Sequence, residues 1–257
     1  MRRTELIMGM PVTVVIPDRE RQDAPDGLRY ATTAAAAEAV FSYLRSVDER
    51  FSPYRAKSET SRIDRGALEP SEASAEMQEV LRLSEDTRQA TNGFFDVWFK
   101  GRFDPSGLVK GWAVARAAKL LDADGFISFC IEAGGDIEVR GANEQGLPWA
   151  IGLRSPTDPD RLVRTLRLQN RGIATSGTYI RGEHIYNPLS GAPANELASL
   201  TVVASDVYEA DRFATAAFAM GREGIAFLAG QPEVEGYMIE WTGIATYTPG
   251  FARYLAS

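Results

Sequence analysis

Residues 126–141, FISFCIEAGGDIEVRG, contain the pattern that decides the fold class. Two short runs rich in apolar and β-branched residues flank the turn Gly134-Gly135-Asp136, an arrangement typical of antiparallel strands joined by a tight turn. The stretch therefore predicts a β-hairpin. Glycines also let a backbone approach a ligand closely, so a binding role for this turn stays open beside the structural one.

The segments on either side of this hairpin differ in periodicity. Residues 149–204 contain several short strand-like runs separated by turns, and residues 6–16 predict one opening strand. Helical patterns occupy residues 28–49, 75–91, 206–221 and a segment that ends at Gly125. Helices and strands that are partly segregated in this way predict an α+β fold. Since no repeat or Pro- and Ser-rich linker divides the chain, we expect a single domain over residues 1–257.

Composition and charge exclude several classes of partner. With 44% hydrophobic and 25% charged residues, the chain has the composition of a soluble globular protein. A net charge of −7 argues against nucleic acid or an anionic membrane as the main partner, because both attract basic proteins. No stretch is long and apolar enough to span a membrane, and the N-terminus lacks a signal-peptide core or lipobox. We therefore expect a cytoplasmic protein, unless a signal was removed. Cys130, the one cysteine, lies in an apolar run and is predicted to be a buried strand residue.

His184 is the only histidine of the chain and lies in residues 172–193, GIATSGTYIRGEHIYNPLSGAP. Histidine is the side chain that ordinarily changes charge near neutral pH, which suits acid–base chemistry. The surrounding Gly, Ser, Thr and Pro residues are typical of turns, where a core aromatic is seldom hidden. From the residues alone, a hydrogen-bonded structural histidine and a catalytic one both remain open.

A carboxylate and a hydroxyl recur at helical spacing in residues 206–221, DVYEADRFATAAFAMG. Asp206 is a good helix N-cap, and Asp211 and Thr215 are four residues apart, so their side chains lie on one helix face. Such a pair forms part of a coordination shell for Mg²⁺, which completes its octahedron with water and phosphate oxygens. The alternative is an exposed aspartate and a threonine that bonds back to a carbonyl.

Residues 103–114, FDPSGLVKGWAV, place Lys110 between two glycines, Gly107 and Gly111. Free N–H groups, glycine and one cation are the elements of a phosphate-binding turn. The segment lacks the spacing of a Walker A motif, however, and an ordinary glycine-containing loop is equally consistent with it.

The order of these motifs is more specific than any one of them. The chain resembles the ApbE family, the FAD:protein FMN transferases, from about Met8 to Gly221. The blocks that carry the resemblance are M-G-M at 8–10, FSPYR-x-x-S at 51–58, T-N-G-x-F-D at 91–96, D-P-S-G-L-V-K-G at 104–111, E-A-G-G-D at 132–136, A-T-S-G at 174–177, H-I-Y-N-P-L-S-G at 184–191 and A-D-x-x-A-T-A at 210–216.

The resemblance implies a fold, a reaction and a set of site residues. The implied fold is α+β, with mixed or antiparallel sheets, packed helices and two interleaved subdomains. The implied reaction transfers FMN from FAD to a Thr or Ser hydroxyl of an acceptor redox protein and releases AMP, with Mg²⁺ as cofactor. Asp211, Thr215 and the backbone carbonyl of Val109 would bind Mg²⁺, and His184 would be the general base or an electrostatic partner of the phosphate. The implied FAD contacts are Met8 or Met10, Tyr54, Phe94, Asp96, Lys110, Ser176 and Gly177.

Several positions depart from the family pattern. Asn92 replaces an acid, Phe94 replaces Ala, Val97-Trp98 replaces Pro-Thr, and Ala115 replaces an aspartate. These changes affect the flavin pocket more than the predicted metal ligands. Two further functions stay open: an Mg²⁺-dependent FAD pyrophosphatase that yields FMN and AMP, and a non-catalytic protein that binds or stores FAD.

Overall fold

The largest sheet of the computed structural model is antiparallel throughout, and the structure describes residues 1–17, 32–158, 160–177 and 185–256. From one edge to the other, its eight strands are β1 (Arg2–Ile7), β2 (Met10–Val15), β5 (Phe129–Ala133), β6 (Asp136–Arg140), β9 (Arg171–Gly177), β10 (Leu197–Ala204), β11 (Glu235–Glu240) and β12 (Ala245–Tyr247).

Two short hairpins, six helices and three 3₁₀ turns complete the described part of the chain. The hairpins pair β3 (Trp98–Phe99) with β4 (Arg102–Phe103), and β7 (Trp149–Arg154) with β8 (Leu162–Leu168). The helices are α1 (Thr33–Phe51), α2 (Glu59–Asp64), α3 (Ala75–Ala90), α4 (Ser106–Ala123), α5 (Val207–Ala219) and α6 (Gly224–Ala229). The 3₁₀ turns are Pro70–Glu72, Gly221–Glu223 and Pro249–Tyr254.

The predicted hairpin at residues 126–141 is confirmed. Strands β5 and β6 pair up to Ala133 opposite Asp136, and Gly134 and Gly135 have φ values of 57° and 97°. Only glycine adopts these conformations without strain, which explains the glycine pair. Cys130 is buried in β5, and burial raises the pKa of its thiol to about 12, so it is not a reactive thiolate at neutral pH.

The prediction of one opening strand over residues 6–16 is wrong. The chain reverses at Met8 and Gly9, whose φ values are 53° and 70°, and β1 then pairs with β2 through Ile7 and Met10. The apolar alternation continues through the turn, and a positive φ at methionine leaves no mark in the sequence. Gly9 was the only local signal of the hairpin.

Different elements pack against the two faces of the sheet. Helix α4 packs against β5 and β6, and α5 packs against β9 and β10, so these helices bury one face. Helices α1 and α3 pack against α4, and α1 also contacts β1. The β7–β8 hairpin and Phe251 bury the other face over β6, β9 and β11. The central strands are therefore enclosed on both sides, and every residue of β10 is buried.

Helices α4 and α5 lie side by side on the sheet and position the residues that the sequence singled out. Asp206 caps α5 as predicted, because its side chain accepts a hydrogen bond from the N–H of Glu209. Asp104 accepts from the N–H of Ser106 at the start of α4. In the described ranges, none of the helices has the length and apolar character needed to cross a membrane.

Candidate functional site

The contact between α4 and α5 brings the predicted metal residues against Gly107 and Gly111. These glycines lie in the first turns of α4 and not in the predicted phosphate-binding turn or loop, because the helix already begins at Ser106. The N–H of Gly111 donates to Oδ2 of Asp211 over 2.8 Å, and Oγ1 of Thr215 donates to the carbonyl of Gly107 over 3.2 Å. In a regular helix, the N–H of residue 111 would donate to the carbonyl of residue 107. The N–H and the carbonyl of this turn of α4 thus bond to the side chains of Asp211 and Thr215, which are one turn apart on α5.

Gly111 has no space for a side chain. An added Cβ would lie 2.5 Å from Cβ of Asp211 and 2.7 Å from the carbonyl oxygen of Val207. The close approach of the two helix backbones at this point therefore requires glycine. This close approach also keeps Asp211 buried between the two helices, where only 4% of the residue is exposed.

A second carboxylate and an ammonium complete the buried cluster. Nζ of Lys110 lies 2.8 Å from Oδ2 of Asp136, and the Asp136 side chain is 1% exposed. Burial and, next, the neighbouring Asp136 charge together raise the pKa of Asp211 to about 8, although Lys110 and the Gly111 N–H oppose the shift. Asp211 is thus held in a site that favours an additional positive charge.

This cluster fits a hard divalent cation. Two buried carboxylates and one ammonium leave an excess of negative charge when both acids are ionised, and carboxylate and hydroxyl oxygens are the ligands that Mg²⁺ prefers. Within the described ranges, no three His, Cys, Asp or Glu side chains converge so as to hold a metal by themselves. A site with few protein ligands is the kind in which Mg²⁺ keeps waters or takes substrate phosphates.

Glu138 anchors the start of α5 from the strand beneath it. The side chain is buried in β6, and its Oε2 accepts from the N–H of Val207 over 2.6 Å, while the other oxygen pairs with Arg140. Burial raises the pKa of Glu138 to about 7, which Arg140 and the Val207 N–H partly offset. Gly172 lets the Asp206–Val207 backbone lie directly on β9, since a Cβ there would be 1.9 Å from the Val207 nitrogen. The first turn of α5, which precedes Asp211, is thereby fixed.

Four predicted FAD contacts lie with Asp136 at one end of the sheet's central strands: Met8, Met10, Ser176 and Gly177. At this end, β2 and β6 begin, and β5 and β9 end. Two pairings align them: the N–H of Gly134 donates to the carbonyl of Pro11, and Ile137 is opposite Ile173. The sulfur of Met10 packs over Gly134, and Met8 is partly buried in the turn before it. Ser176 and Gly177 form the end of β9, and Ser176 is buried. Their roles as FAD contacts stay predictions.

Two further predicted contacts, Phe94 and Asp96, lie on the loop before β3. Asn92 and Gly93 form the predicted turn, with φ values of 52° and 83°, and Phe94 is half-buried after it. Oδ1 of Asp96 accepts from the N–H of Trp98, which orients the carboxylate along the loop. Tyr54 stands apart from these residues as a side chain that is 95% exposed.

His184 lies outside the described residues, so its predicted role is untested. Two contacts anchor the residues that follow it. Ile185 is buried in the cluster beneath β10 and α5, and the ring of Tyr186 stacks on Phe99 with a centroid separation of 5.4 Å.

Comparison with known proteins identifies the family. The family model described as "ApbE family" matches residues 8–101 and 99–238. The chain belongs to the ApbE family. The resemblance deduced from the ordered motifs is therefore confirmed.

Curated relatives of this ApbE chain share one name. The FAD:protein FMN transferase of Escherichia coli K12 is 30% identical over 167 residues, which cover 60% of this chain and 48% of that protein. The protein of the same name from Haemophilus influenzae is 26% identical over 279 residues, which cover 83% and 81% of the two chains. The chain thus spans about half the length of the Escherichia coli relative that it matches.

Solved ApbE structures have the same fold. The ApbE protein of Thermotoga maritima superposes with a TM-score of 0.83 at 21% identity, covering 100% of this chain and 99% of the other. The flavin transferase ApbE of Vibrio cholerae gives a TM-score of 0.82 at 23% identity, with 99% of each chain covered. The predicted α+β class, with antiparallel sheets and packed helices, is confirmed.

Two acids of this ApbE site, Asp136 and Glu138, were not predicted as site residues from the sequence. Asp136 belongs to the turn and to the E-A-G-G-D block, but its pairing with Lys110 was not predicted. Glu138 lies between Ile137 and Val139 in a strand buried on both faces. An acid at such a position needs a buried partner, and this was the available signal.

Proposed function

We propose that this chain transfers FMN from FAD to a Thr or Ser hydroxyl of an acceptor redox protein and releases AMP, in an Mg²⁺-dependent reaction. The observation that supports it is the buried contact between α4 and α5, where Asp211 and Thr215 bond to the backbone of α4 and Lys110 pairs with Asp136. The names of the curated relatives point to the same chemistry.

Three groups would hold the metal: the carboxylate of Asp211, the hydroxyl of Thr215 and the backbone carbonyl of Val109. Bound Mg²⁺ would neutralise charge on the FAD diphosphate and on the departing AMP. Lys110 is held by Asp136 in the same cluster, and it supplies a fixed positive charge for the phosphate side of FAD. Met8 or Met10, Tyr54, Phe94, Asp96, Ser176 and Gly177 would contact the rest of FAD.

The reaction exchanges one phosphoester bond for another. The hydroxyl oxygen of the acceptor attacks the phosphorus on the FMN side of the diphosphate, and the bond from that phosphorus to the bridging oxygen breaks. AMP leaves with the bridging oxygen, and the hydroxyl proton passes to His184 as general base. Such a base contributes roughly 10²–10⁴-fold to the rate.

Incubation of the chain with FAD, Mg²⁺ and a candidate acceptor domain tests this function. Transfer predicts one added FMN in the intact mass of the acceptor and an equal amount of released AMP. AMP and free FMN without acceptor modification would identify an FAD pyrophosphatase, in which water replaces the hydroxyl. Bound FAD with no AMP under any of these conditions would identify a storage protein.

A further inference from the structure

A cleft lies between the tip of the β7–β8 hairpin and the end of β11. Its volume is about 360 Å³, and its walls include Thr157, Arg161 and Arg164 on one side and Tyr237, Glu240 and Trp241 on the other. The hairpin crosses the sheet face opposite the helices, so the cleft is separate from the α4–α5 cluster.

The cleft is positively charged in an acidic protein. Its charged lining residues are two arginines, Arg161 and Arg164, and one acid, Glu240, whereas the whole chain has a net charge of −7. Glu240 is neutralised by Arg222 at 2.8 Å. In the described part of the chain, neither Arg161 nor Arg164 forms an ion pair, and the nearby Asp158 instead accepts the N–H of Asp160. Two arginines thus face the cleft without acidic partners among the described residues.

The same cleft borders an edge of the large sheet. Strand β12 pairs with β11 on one side, its three residues are exposed, and Tyr247 stacks on Tyr237 at 6.1 Å. Trp241 is 51% exposed beside them. An exposed edge strand pairs readily with an extended peptide, and exposed aromatic side chains add apolar contact area.

The register of the sheet places the cleft at the same end of the strands as the predicted FAD contacts. Gly177 at the end of β9 is opposite Ser199, and Leu197 in β10 is opposite Glu240 at the end of β11. Two strand spacings separate β9 from β11, which is roughly 10 Å. A chain bound in the cleft would therefore lie at the same strand ends as Gly177, on the sheet face opposite the α4–α5 cluster.

We propose that this cleft binds an extended, acidic segment of the acceptor protein. Arg161 and Arg164 pair with its carboxylates, and the β12 edge and Trp241 hold its backbone and apolar side chains. The inference rests on the proposed function, since it assigns the surface that brings the acceptor hydroxyl to the site. Two unpaired arginines favour an acidic protein segment over a second copy of this chain, whose own cleft carries the same charge.

Binding of two labelled 12-residue peptides tests the proposal by fluorescence anisotropy. One peptide alternates Glu and Thr, and the other alternates Lys and Thr. We expect the acidic peptide to bind at least tenfold more tightly than the basic one, and Arg161→Glu with Arg164→Glu to weaken it at least tenfold. The matched control is Arg82→Glu with Arg88→Glu, which reverses two exposed charges on α3 and should leave binding unchanged. Arg164→Gln, a milder change, should weaken binding severalfold.

Four outcomes would overturn the proposal. They are equal binding of both peptides, no binding to the wild-type chain, unchanged binding in both cleft variants, and self-association that the cleft variants abolish. The last outcome would assign the cleft to a second copy. FAD binding is measured separately by flavin fluorescence, so a chain that binds the peptide but fails to transfer FMN would refute the proposed function and not the acidic-segment site.

Discussion

The N–H of Gly111 donates a hydrogen bond to Oδ2 of Asp211 over 2.8 Å, although 100 residues separate them in the chain. This bond links the glycine-containing start of α4 to α5, the helix that carries the predicted metal ligands. The two motifs lie far apart in the sequence. Because Gly111 has no Cβ, α4 approaches α5 closely enough for the backbone itself to orient the carboxylate. The geometry of the candidate metal site therefore depends on a residue that bears no functional group.

Gly111→Ala should damage this site directly. The new Cβ would overlap Asp211 and the Val207 carbonyl, so α4 must shift away from α5. We expect a loss of about 1–3 kcal/mol in the free energy of unfolding and at least a tenfold loss of Mg²⁺-dependent AMP release. Gly107→Ala is a milder comparison in the same helix, since its Cβ would lie 3.2 Å from Thr215 and 3.4 Å from Phe95. Equal effects of the two substitutions would show that the Gly111 contact has no special role.

The Lys110–Asp136 pair gives a prediction about stability. Lys110→Met leaves buried Asp136 without its ammonium and should cost about 3–5 kcal/mol in the free energy of unfolding. Adding Asp136→Asn removes the uncompensated charge, so the double variant should regain most of that loss while AMP release stays impaired. Urea unfolding of the two single variants and the double variant measures the coupling. Additive losses would contradict a direct interaction.

Glu138 predicts a pH dependence of stability. Burial raises its pKa to about 7 from an ordinary value of 4.5, so the folded state keeps a proton that the unfolded state releases. The stabilisation from this group is complete below about pH 4.5 and is lost as the pH rises through about 7. Glu138→Gln retains an oxygen for the Val207 N–H and removes the titration.

Urea unfolding between about pH 5 and pH 7 tests this prediction. The wild-type chain should lose up to about 1.4 kcal/mol per pH unit through Glu138, and the Gln variant should show a correspondingly smaller slope. A residual slope is expected from Asp211, whose pKa burial also raises. Superimposable slopes in the two proteins would refute the protonation of Glu138.

His184→Ala separates catalysis from binding. If His184 accepts the proton of the acceptor hydroxyl, the variant should transfer FMN about 10²-fold or more slowly with little change in FAD affinity. Single-turnover transfer and fluorescence titration with FAD measure the two quantities. A large loss of FAD affinity with an unchanged rate would make His184 a residue that positions the diphosphate.

The sequence was sufficient for features that depend on local chemistry. The glycine pair at 134–135 predicted its hairpin because both residues need a positive φ, and Asp206 predicted the start of α5 because its side chain caps the helix. The ordered motifs also led to the correct family.

The remaining features depend on contacts between distant segments. Nothing near Asp136 indicates that Lys110 lies 2.8 Å away, and nothing near Val207 indicates that Glu138 accepts its N–H. Likewise, Arg161 and Arg164 lie in an exposed turn and at the start of β8, and only the folded protein brings them to a cleft beside β11. Such pairings require the tertiary arrangement.

The most direct test of the central claim is the intact mass of an acceptor domain after incubation with FAD, Mg²⁺ and either the wild-type chain or Asp211→Asn. The asparagine keeps the shape of the side chain and an oxygen for the Gly111 N–H, but it removes the charge that would hold the metal. We expect one FMN added by the wild-type chain and at least a hundredfold slower addition by the variant. Equal rates of modification in both reactions would contradict it.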